Sequence, residues 1–314
     1  MIDCFKHETV LLHEAVKALN IKADGIYIDA TFGRGGHSTE ILKQLGSKGR
    51  LLLIDKDPLA ISHAREVYQD DGRVLIWQGS FKDFPGALQA FGFARTDGIL
   101  LDLGVSSPQL DDASRGFSFM RDGDLDMRMD PDSGKSAAEW IATASEEQIA
   151  DVIYRYGEDK LSRRIARTIV ERRAEKPIRS TLQLADIIAS SIPLRLQKKE
   201  PGKHPATRSF QAIRIFINHE LDDLIGCLDN AKEYLNVKGR LVVISFHSLE
   251  DRIVKRFLKA ESNAPRLPRG LPVMDDQLSR PAFKLIGKAV KPSKQEVEGN
   301  IRSRSAIMRV GEKQ

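Results

Sequence analysis

Cysteine is scarce in this chain, which has only Cys4 and Cys227 among its 314 residues. A disulfide framework or a cysteine-based zinc site needs more thiols, so we expect two reduced cysteines. Long apolar runs are also missing, because stretches such as Leu51–Ile54 reach only about four residues, whereas a helix that crosses a bilayer needs about 20. The first residues lack a basic segment followed by an apolar one, which is the pattern of a secretory signal. We therefore expect a cytoplasmic protein without a membrane segment.

Aromatic residues are also few, at 6%, beside 41% hydrophobic and 30% charged residues, which is the composition of a globular protein. A length of 314 residues predicts two domains. The net charge of +5 is unevenly distributed: residues 155–214 carry 15 Lys/Arg against 6 Asp/Glu, and residues 251–314 carry 15 against 7. Two basic segments are typical of a protein that binds a phosphate backbone, and the alternative is two solvated helix surfaces.

The hydrophobic pattern predicts an α/β fold. Four short apolar runs, at 26–28, 50–54, 74–77 and 98–101, follow one another at intervals of about 20 to 25 residues, and a fifth lies at 240–245. Runs that are apolar at every position are typical of parallel strands covered on both faces. The periodicity also predicts a helix over 9–20, capped by Thr9 and stopped by Asn20, helices throughout 136–190, and one long helix over 210–235 that ends at 237–239.

Strand patterns are absent between 112 and 212. Residues 111–134 indicate an ordered loop, and the Pro, Gly and Lys content of 196–205 indicates an exposed connection. We therefore predict a doubly wound, mostly parallel, Rossmann-like sheet formed by 1–111 and 213–314, with an inserted all-α domain over 112–212. In 161–173 the apolar residues share one side of a helix and Arg163, Arg164 and Arg167 occupy the other, which suits a phosphate-binding surface.

A glycine loop joins the first predicted strand to a helix. Asp29 ends the strand, and Gly33, Gly35 and Gly36 follow it, where glycines permit a sharp turn and a close approach of the backbone to a cofactor. Asp55 lies 22 positions beyond Gly33, at the end of the second strand, where a carboxylate can accept both hydroxyls of a ribose. Together these features favour an adenosine-type cofactor over a structural turn.

The glycine spacing favours S-adenosylmethionine (AdoMet) over a dinucleotide. Dinucleotide sites use G-x-G-x-x-G, whereas Thr31 stands here where the first glycine would be. An acidic residue near the loop suits the ammonium group of a methionine moiety, and Asp29 and Asp102 are the candidates. Phe81, which follows the third strand, can lie against adenine or belong to the core.

The fourth strand leads into Ser106-Ser107-Pro108, at the edge of the sheet where open α/β folds bind ligands. Enzymes that methylate exocyclic amines of bases have a similar (Asp/Asn/Ser)-Pro-Pro-aromatic loop. The lone pair of such an amine is delocalised into the ring, so acceptors must hold its hydrogens and turn the lone pair toward the methyl group. Ser106, Ser107 and the carbonyl before Pro108 are candidate acceptors. The match is partial because Gln109 replaces the second proline, and a structural turn is the alternative.

Longer motifs resemble the bacterial ribosomal small subunit RNA methyltransferase H family and span nearly the whole chain. They are HETVLLHE (7–14), FGRGGHS (32–38), DLGVSSPQLD (102–111), RGFSF (115–119), LDMRM (125–129), HPATRSFQAIR (204–214) and SFHSLEDR (245–252). The resemblance implies a methyltransferase core interrupted by a helical domain, AdoMet as cofactor, and methyl transfer to N4 of a cytosine in the decoding region of 16S ribosomal RNA. The cofactor contacts that it implies are Gly35, Gly36, His37, Asp55, Phe81, Asp102 and Gln109.

RNA contacts are predicted from basic and polar side chains outside the cofactor loop. The candidates are Lys198, Lys199, Lys203, Arg208 and His247. For His247, a hydrogen bond within its own loop is the alternative. The expected partner is 16S ribosomal RNA within the small ribosomal subunit.

Other interpretations of the sequence stay open. The acceptor could be adenine N6, a ribose hydroxyl or a protein side chain, or the chain could be a non-catalytic RNA-binding assembly factor. The seven histidines show no metal-ligand spacing, so no metal is expected. Methylation makes the amine strongly acidic, so water can take its proton and no general base is needed.

Overall fold

Two compact units make up the protein in a computed structural model, which describes residues 9–197, 202, 204–263 and 281–314. Met1–Gly104 and Leu221–Gln314 form the first unit, and Val105–Glu220 form the second. Cys4, Lys198, Lys199 and Lys203 lie outside the described residues. Of the helices in the described ranges, none is long and apolar enough to cross a membrane.

The first unit contains a seven-stranded sheet. Its strands are β1 Ile26–Asp29, β2 Arg50–Asp55, β3 Val74–Gln78, β4 Thr96–Asp102, β5 Leu235–Ser245, β6 Phe283–Leu285 and β7 Ile307–Lys313. Their order is β3-β2-β1-β4-β5-β7-β6. Strands β1 to β5 pair in parallel, whereas β7 is antiparallel to both β5 and β6. The predicted mostly parallel α/β fold is confirmed.

Fourteen helices are found in the described residues. In chain order they are α1 Leu12–Leu19, α2 Gly36–Leu42, α3 Pro58–Val67, α4 Phe84–Ala90, α5 Ser107–Asp111, α6 Ala137–Thr143, α7 Glu146–Gly157, α8 Ser162–Glu175, α9 Thr181–Ser191, α10 Leu194–Gln197, α11 Thr207–Asn218, α12 Glu220–Tyr234, α13 Ser248–Glu261 and α14 Lys294–Gly299. The helical series predicted over 136–190 is confirmed as α6 to α9.

Helices cover both faces of the sheet. In β2, Leu51 and Leu53 pack with residues of α1, α2 and α3, while Leu52 and Ile54 pack with residues of α4, α12 and α13. All four side chains are buried, which explains why the strand is apolar at each of its four central positions. The strand order reverses between β1 and β4, and such a switch point opens a crevice outside the carboxyl ends of the strands. Asp29, Asp55 and Asp102 end the strands at that crevice.

The second unit is helical and has a core of its own, formed mainly by α6, α7, α8, α9 and α11. On α8, Ile165, Ala166 and Ile169 are fully buried. Arg163, Arg164 and Arg167 are exposed on the same helix. The predicted apolar and basic sides of this helix are therefore confirmed.

The single long helix predicted over 210–235 is wrong. It is two helices, α11 and α12, separated by His219, whose φ of 54° is left-handed. Phe210 and Ile213 of α11 belong to the core of the helical unit, whereas Leu224 of α12 packs against the sheet. Along the chain, the boundaries between the units consequently fall after Gly104 and after Glu220, whereas the sequence analysis placed them after 111 and 212.

Two smaller predictions are also corrected, and two strands were missed. Thr9 does not cap α1, because Leu11, with a left-handed φ of 52°, directly precedes the helix, although Asn20 ends it as predicted. Residues 237–239 do not end a helix but belong to β5. The antiparallel β6 and β7 were not predicted, because neither is a continuous apolar run.

Candidate functional site

The glycine loop lies between β1 and α2 and is shaped by left-handed glycines. Gly33 has a φ of 55° and Gly35 a φ of 77°, conformations that side chains rarely adopt. Gly36 begins α2 under a neighbouring segment: a Cβ atom there would lie 1.8 Å from Oγ1 of Thr9. The loop therefore needs glycine at these positions, and Thr9, which sequence reasoning assigned to a helix cap, packs over it.

Asp29 anchors this loop from inside the protein. Its carboxylate accepts a hydrogen bond of 2.5 Å from the hydroxyl of Ser38 and one of 3.4 Å from the backbone N–H of Thr31. Burial raises the pKa of Asp29 to about 6, although both hydrogen bonds oppose the shift. Asp29 is thus a structural acid of the loop as well as a source of negative potential.

Asp55 joins the end of β2 to the glycine loop. One carboxylate oxygen accepts from the backbone N–H of Gly33 at 2.8 Å, and the other accepts from that of Asp57 at 2.9 Å. Each carboxylate oxygen can accept a further hydrogen bond, so both remain able to receive a hydroxyl. Burial raises the pKa of Asp55 to about 6, and the charges of Asp57 and Asp29 add to the shift. The structure therefore brings together the glycine loop and the predicted ribose acceptor.

Asp102 and His37 present buried polar atoms without partners. The side-chain Oδ1 of Asp102 and Nε2 of His37 have no hydrogen-bond partner among the described residues. The backbone N–H of Asp102 donates to Oγ1 of Thr31 at 2.6 Å, which explains a threonine at that loop position. Buried polar atoms are nearly always satisfied in native proteins, so the unpartnered Oδ1 of Asp102 at the end of β4 indicates a ligand.

The charges of this pair follow from burial. Burial, together with the negative charges of Asp29 and Glu250, raises the pKa of Asp102 well above its ordinary value. Burial lowers the pKa of His37 to about 4, so the imidazole is neutral at pH 7. Its Nδ1 lies 3.8 Å from Oδ2 of Asp102, and at neutral pH this contact is not an ion pair.

Phe81 follows β3 and begins a short 3₁₀ turn, Phe81–Asp83. It is half-buried, and it packs against the core cluster on one face of the sheet. Both alternatives for this residue therefore have support, because part of the ring belongs to the core and part is available to a ligand.

Ser106, Ser107, Pro108 and Gln109 belong to the second unit, where they form the start of α5. Ser106 precedes the helix, and its backbone N–H donates to Oε1 of the buried Gln109 at 2.9 Å. Gln109 therefore holds the turn in shape, in addition to its predicted contact with the cofactor. The loop is an ordered helix start with serine hydroxyls at its first positions.

The predicted RNA contacts are spread over both units. Arg208 lies on α11 and is half-buried, whereas the three lysines of the set lie outside the described residues. His247 precedes α13, and its Nδ1 accepts a hydrogen bond from the backbone N–H of Glu250 at 3.4 Å, while Nε2 lies 3.1 Å from Oε1 of that residue. The hydrogen bond to Nδ1 matches the local alternative stated for His247, and its contact with RNA stays a prediction.

Sequence reasoning missed several residues that shape this site. Thr9, Ser38 and Glu250 touch the glycine loop or the turn after β5, but each is an ordinary polar residue in a helix or a loop. All three lie within the motifs quoted above, but a motif does not say which contact each side chain makes. Those contacts become visible only once the chain is folded.

The chain's own residues fit a cationic ligand that carries a ribose. The carboxyl groups of Asp29, Asp55 and Asp102 lie at neighbouring strand ends, and each has a raised pKa. A bound cation would stabilise their ionised forms. The left-handed glycines give the loop its sharp turn beside these carboxyls. These features match the sulfonium, ammonium and ribose groups of AdoMet.

Comparisons with known proteins give one consistent result. The profile of the MraW methylase family matches residues 4–314. The ribosomal RNA small subunit methyltransferase H of Marinomonas sp. (strain MWYL1) is 55% identical over 98% of this chain and 97% of that protein. The protein of the same name from Thioalkalivibrio sulfidiphilus is 53% identical over the same shares. The crystal structure of an rRNA methylase from Streptococcus thermophilus is 11% identical, covers 97% of each chain and has a TM-score of 0.43. The family resemblance of the sequence motifs is confirmed.

Proposed function

Because the chain belongs to the MraW methylase family, we propose that it transfers the methyl group of AdoMet to the exocyclic N4 of a cytosine in the decoding region of 16S ribosomal RNA. The predicted methyltransferase activity and AdoMet cofactor are confirmed by that membership. The observation that carries the cofactor assignment is the set of raised-pKa carboxyls beside a left-handed glycine loop.

Each cofactor residue has a proposed task that follows from its contacts. Gly33, Gly35 and Gly36 let the backbone approach the ligand, with His37 as a neutral, buried neighbour. Asp55 accepts the ribose hydroxyls, Phe81 lies against adenine, and Asp102 uses its orphan Oδ1 for the methionine ammonium. Gln109 supports these contacts from the start of α5.

The methyl-transfer step does not need a general base from the protein. AdoMet, when bound, supplies an activated methyl group on a sulfonium. The protein must hold the two amine hydrogens so that N4 becomes tetrahedral and its lone pair, no longer delocalised into the ring, points at the methyl group. Ser107 and the carbonyl before Pro108 are the proposed acceptors, and Ser106 is the alternative to Ser107. The proton lost after transfer goes to water.

RNA binding is assigned to the basic surfaces. The exposed arginines of α8 and the half-buried Arg208 on α11 are proposed phosphate contacts in the helical unit, and the turn that holds His247 is proposed to lie beside the base. We further propose that the substrate is the RNA within the small ribosomal subunit, which places the reaction in the cytoplasm. The family's small-subunit relatives support this assignment.

A transfer assay tests the proposal. Tritium from labelled AdoMet should enter 30S particles that lack the modification, and nucleoside analysis should find the label in N4-methylcytidine. Label in another nucleoside would contradict the cytosine assignment. Binding of AdoMet without transfer to 30S particles or to free 16S RNA would contradict the catalytic role in favour of an assembly factor.

A further inference from the structure

Asp223 is a buried acid on α12 that the proposed reaction has not used. It is only 1% exposed, and its carboxylate contacts three side chains. The ammonium of Lys56 pairs with Oδ2, that of Lys82 lies 3.0 Å from Oδ1, and the hydroxyl of Ser80 donates to Oδ2 at 2.8 Å. Burial alone would raise the pKa of Asp223, but these three contacts hold it below its ordinary value, so the group is ionised.

These partners flank the two residues assigned to adenosine. Lys56 directly follows Asp55 at the end of β2. Ser80 and Lys82 stand on either side of Phe81, and the backbone N–H of Lys82 donates to the Ser80 hydroxyl at 3.3 Å. The chain segments that carry both proposed contacts are therefore fastened to a single carboxylate.

The same side of α12 supplies a second attachment. The side-chain amide of Asn230, seven residues after Asp223, donates to the backbone carbonyl of Lys82 at 2.8 Å. Residues seven apart lie on one side of a helix, two turns from each other. Helix α12 thus contacts the turn that carries Phe81 at two kinds of group: the side chains of Ser80 and Lys82, and the backbone carbonyl of Lys82.

We propose that Asp223 is a positioning residue of the cofactor site, which fixes the segments after β2 and β3 so that Asp55 and Phe81 together hold adenosine. The inference rests on the proposed function, since it takes these two residues as adenosine contacts. The adenine ring and the ribose hydroxyls are not reacting atoms, so Asp223 acts on cofactor binding in the ground state and leaves the transfer step unchanged. The expected signature is a raised KM for AdoMet with an unchanged kcat.

The primary test is Asp223→Asn, which keeps the size of the side chain and removes its charge. We expect the Kd values for AdoMet and for 5′-methylthioadenosine to rise by the same factor, about tenfold, with kcat within about twofold of the wild type. Glu312→Gln is the matched control, because it breaks another largely buried ion pair, that of Arg240 with Glu312, 2.7 Å apart. It should leave both Kd values unchanged.

A second comparison separates positioning from a loss of stability. In the background of Phe81→Ala the effect of Asp223→Asn on the Kd should shrink, because part of what Asp223 positions has been removed. If Asp223→Asn does not fold, Ser80→Ala removes one of the three contacts and should raise the Kd by about two- to fivefold. Wild-type affinity in Asp223→Asn, or full additivity with Phe81→Ala, would overturn the inference. Failure of the wild-type protein to bind 5′-methylthioadenosine would instead contradict the proposed adenosine site.

Discussion

Asp55 has two tasks, and the structure separates them. Its carboxylate already accepts from the backbone of Gly33 and Asp57, and it is proposed to accept from the ribose as well. A substitution at this position therefore alters both the ligand contact and the shape of the glycine loop. An amide can replace one acceptor, whereas a methyl group replaces none.

Asp55→Ala is expected to weaken AdoMet binding by about 1 to 3 kcal/mol, because the ribose hydroxyls lose a charged acceptor. Asp55→Asn should weaken it less, since one carbonyl oxygen remains. Calorimetric titration with AdoMet measures both values, and circular dichroism confirms that each variant is folded. Unchanged affinity in a folded Asp55→Ala would remove the ribose assignment.

AdoMet binding should depend on pH in the range where Asp29 and Asp55 titrate. The pKa values of both carboxyls are raised to about 6, so both are partly protonated below that pH, and a cationic ligand prefers their ionised forms. Affinity for AdoMet should therefore fall as the pH is lowered from about 7.5 to about 5, a range that includes both pKa values. Calorimetric titrations across this range give the slope, which Asp55→Asn should reduce. A flat profile would contradict the acidic character of the site.

The same raised pKa values predict how the stability of the ligand-free protein depends on pH. A carboxyl whose pKa is raised on folding binds its proton more tightly in the folded state, so this contribution to stability is present at low pH. It is lost as the pH rises from about 4 to about 6. At neutral pH the carboxyls of Asp29 and Asp55 are therefore ionised and repel each other, and a bound cation offsets this repulsion. The rise in Tm on addition of AdoMet should accordingly be larger at pH 7 than at pH 5.

Among the elements, the five parallel strands were predictable because each contains a run of apolar residues that packs into the core on the two faces of the sheet. The boundary between α11 and α12 was not predictable. The chain turns there at His219, without glycine or proline, and the apolar spacing continues across the break although the two helices pack into different cores. Histidine is tolerated in the left-handed region, but it gives no sequence signal for it.

The site was predictable where backbone geometry demands particular residues, and not elsewhere. Gly33 and Gly35 are needed for their left-handed φ values, and Asp55 stands at the usual distance from such a loop. Asp223 lies outside every quoted motif, and Thr9 lies in the motif over 7–14, which does not indicate its contact with Gly36. Their roles depend on tertiary contacts, which a single sequence does not reveal.

Ser106 and Ser107 are neighbours at the start of α5, but we expect substitutions at these two positions to have different effects. Ser107→Ala is expected to lower kcat by about 10- to 1000-fold and to leave AdoMet affinity within about threefold, since its contact with the amine strengthens only as the nitrogen becomes tetrahedral. Single-turnover methylation of 30S particles measures the step. Ser106→Ala is the comparison, because Ser106 precedes the helix and its loss should lower helix stability by about 1 kcal/mol. Normal rates in both variants would make the loop a structural turn.

At the scale of the whole molecule, acidic residues lie at the proposed cofactor site, whereas exposed basic residues lie on two helices. The proposed cofactor site is acidic, with Asp29, Asp55 and Asp102 at its strand ends. The exposed surface is basic along α8 of the helical unit and along α13 of the sheet unit. On α13 the exposed basic residues recur every three or four positions, so they form one stripe: Arg252, Lys255, Arg256 and Lys259. The two ligands should consequently respond to salt in different ways.

RNA affinity should fall steeply with salt, because contacts with phosphates release counterions, and each contact adds about 0.7 to the slope of log K against log salt for a single strand. Replacing Arg163, Arg164 and Arg167 with glutamine should therefore reduce the slope by about 2 if all three contact phosphates. Arg73→Gln is the control, since that guanidinium is tied to Asp71 and to two backbone carbonyls. Filter binding with decoding-region RNA measures the slopes, and calorimetry should find AdoMet affinity nearly constant, because buried charges are weakly screened. If RNA affinity did not change with salt, or if the triple variant kept the wild-type slope, the arginines of α8 would be solvated surface residues without phosphate contacts.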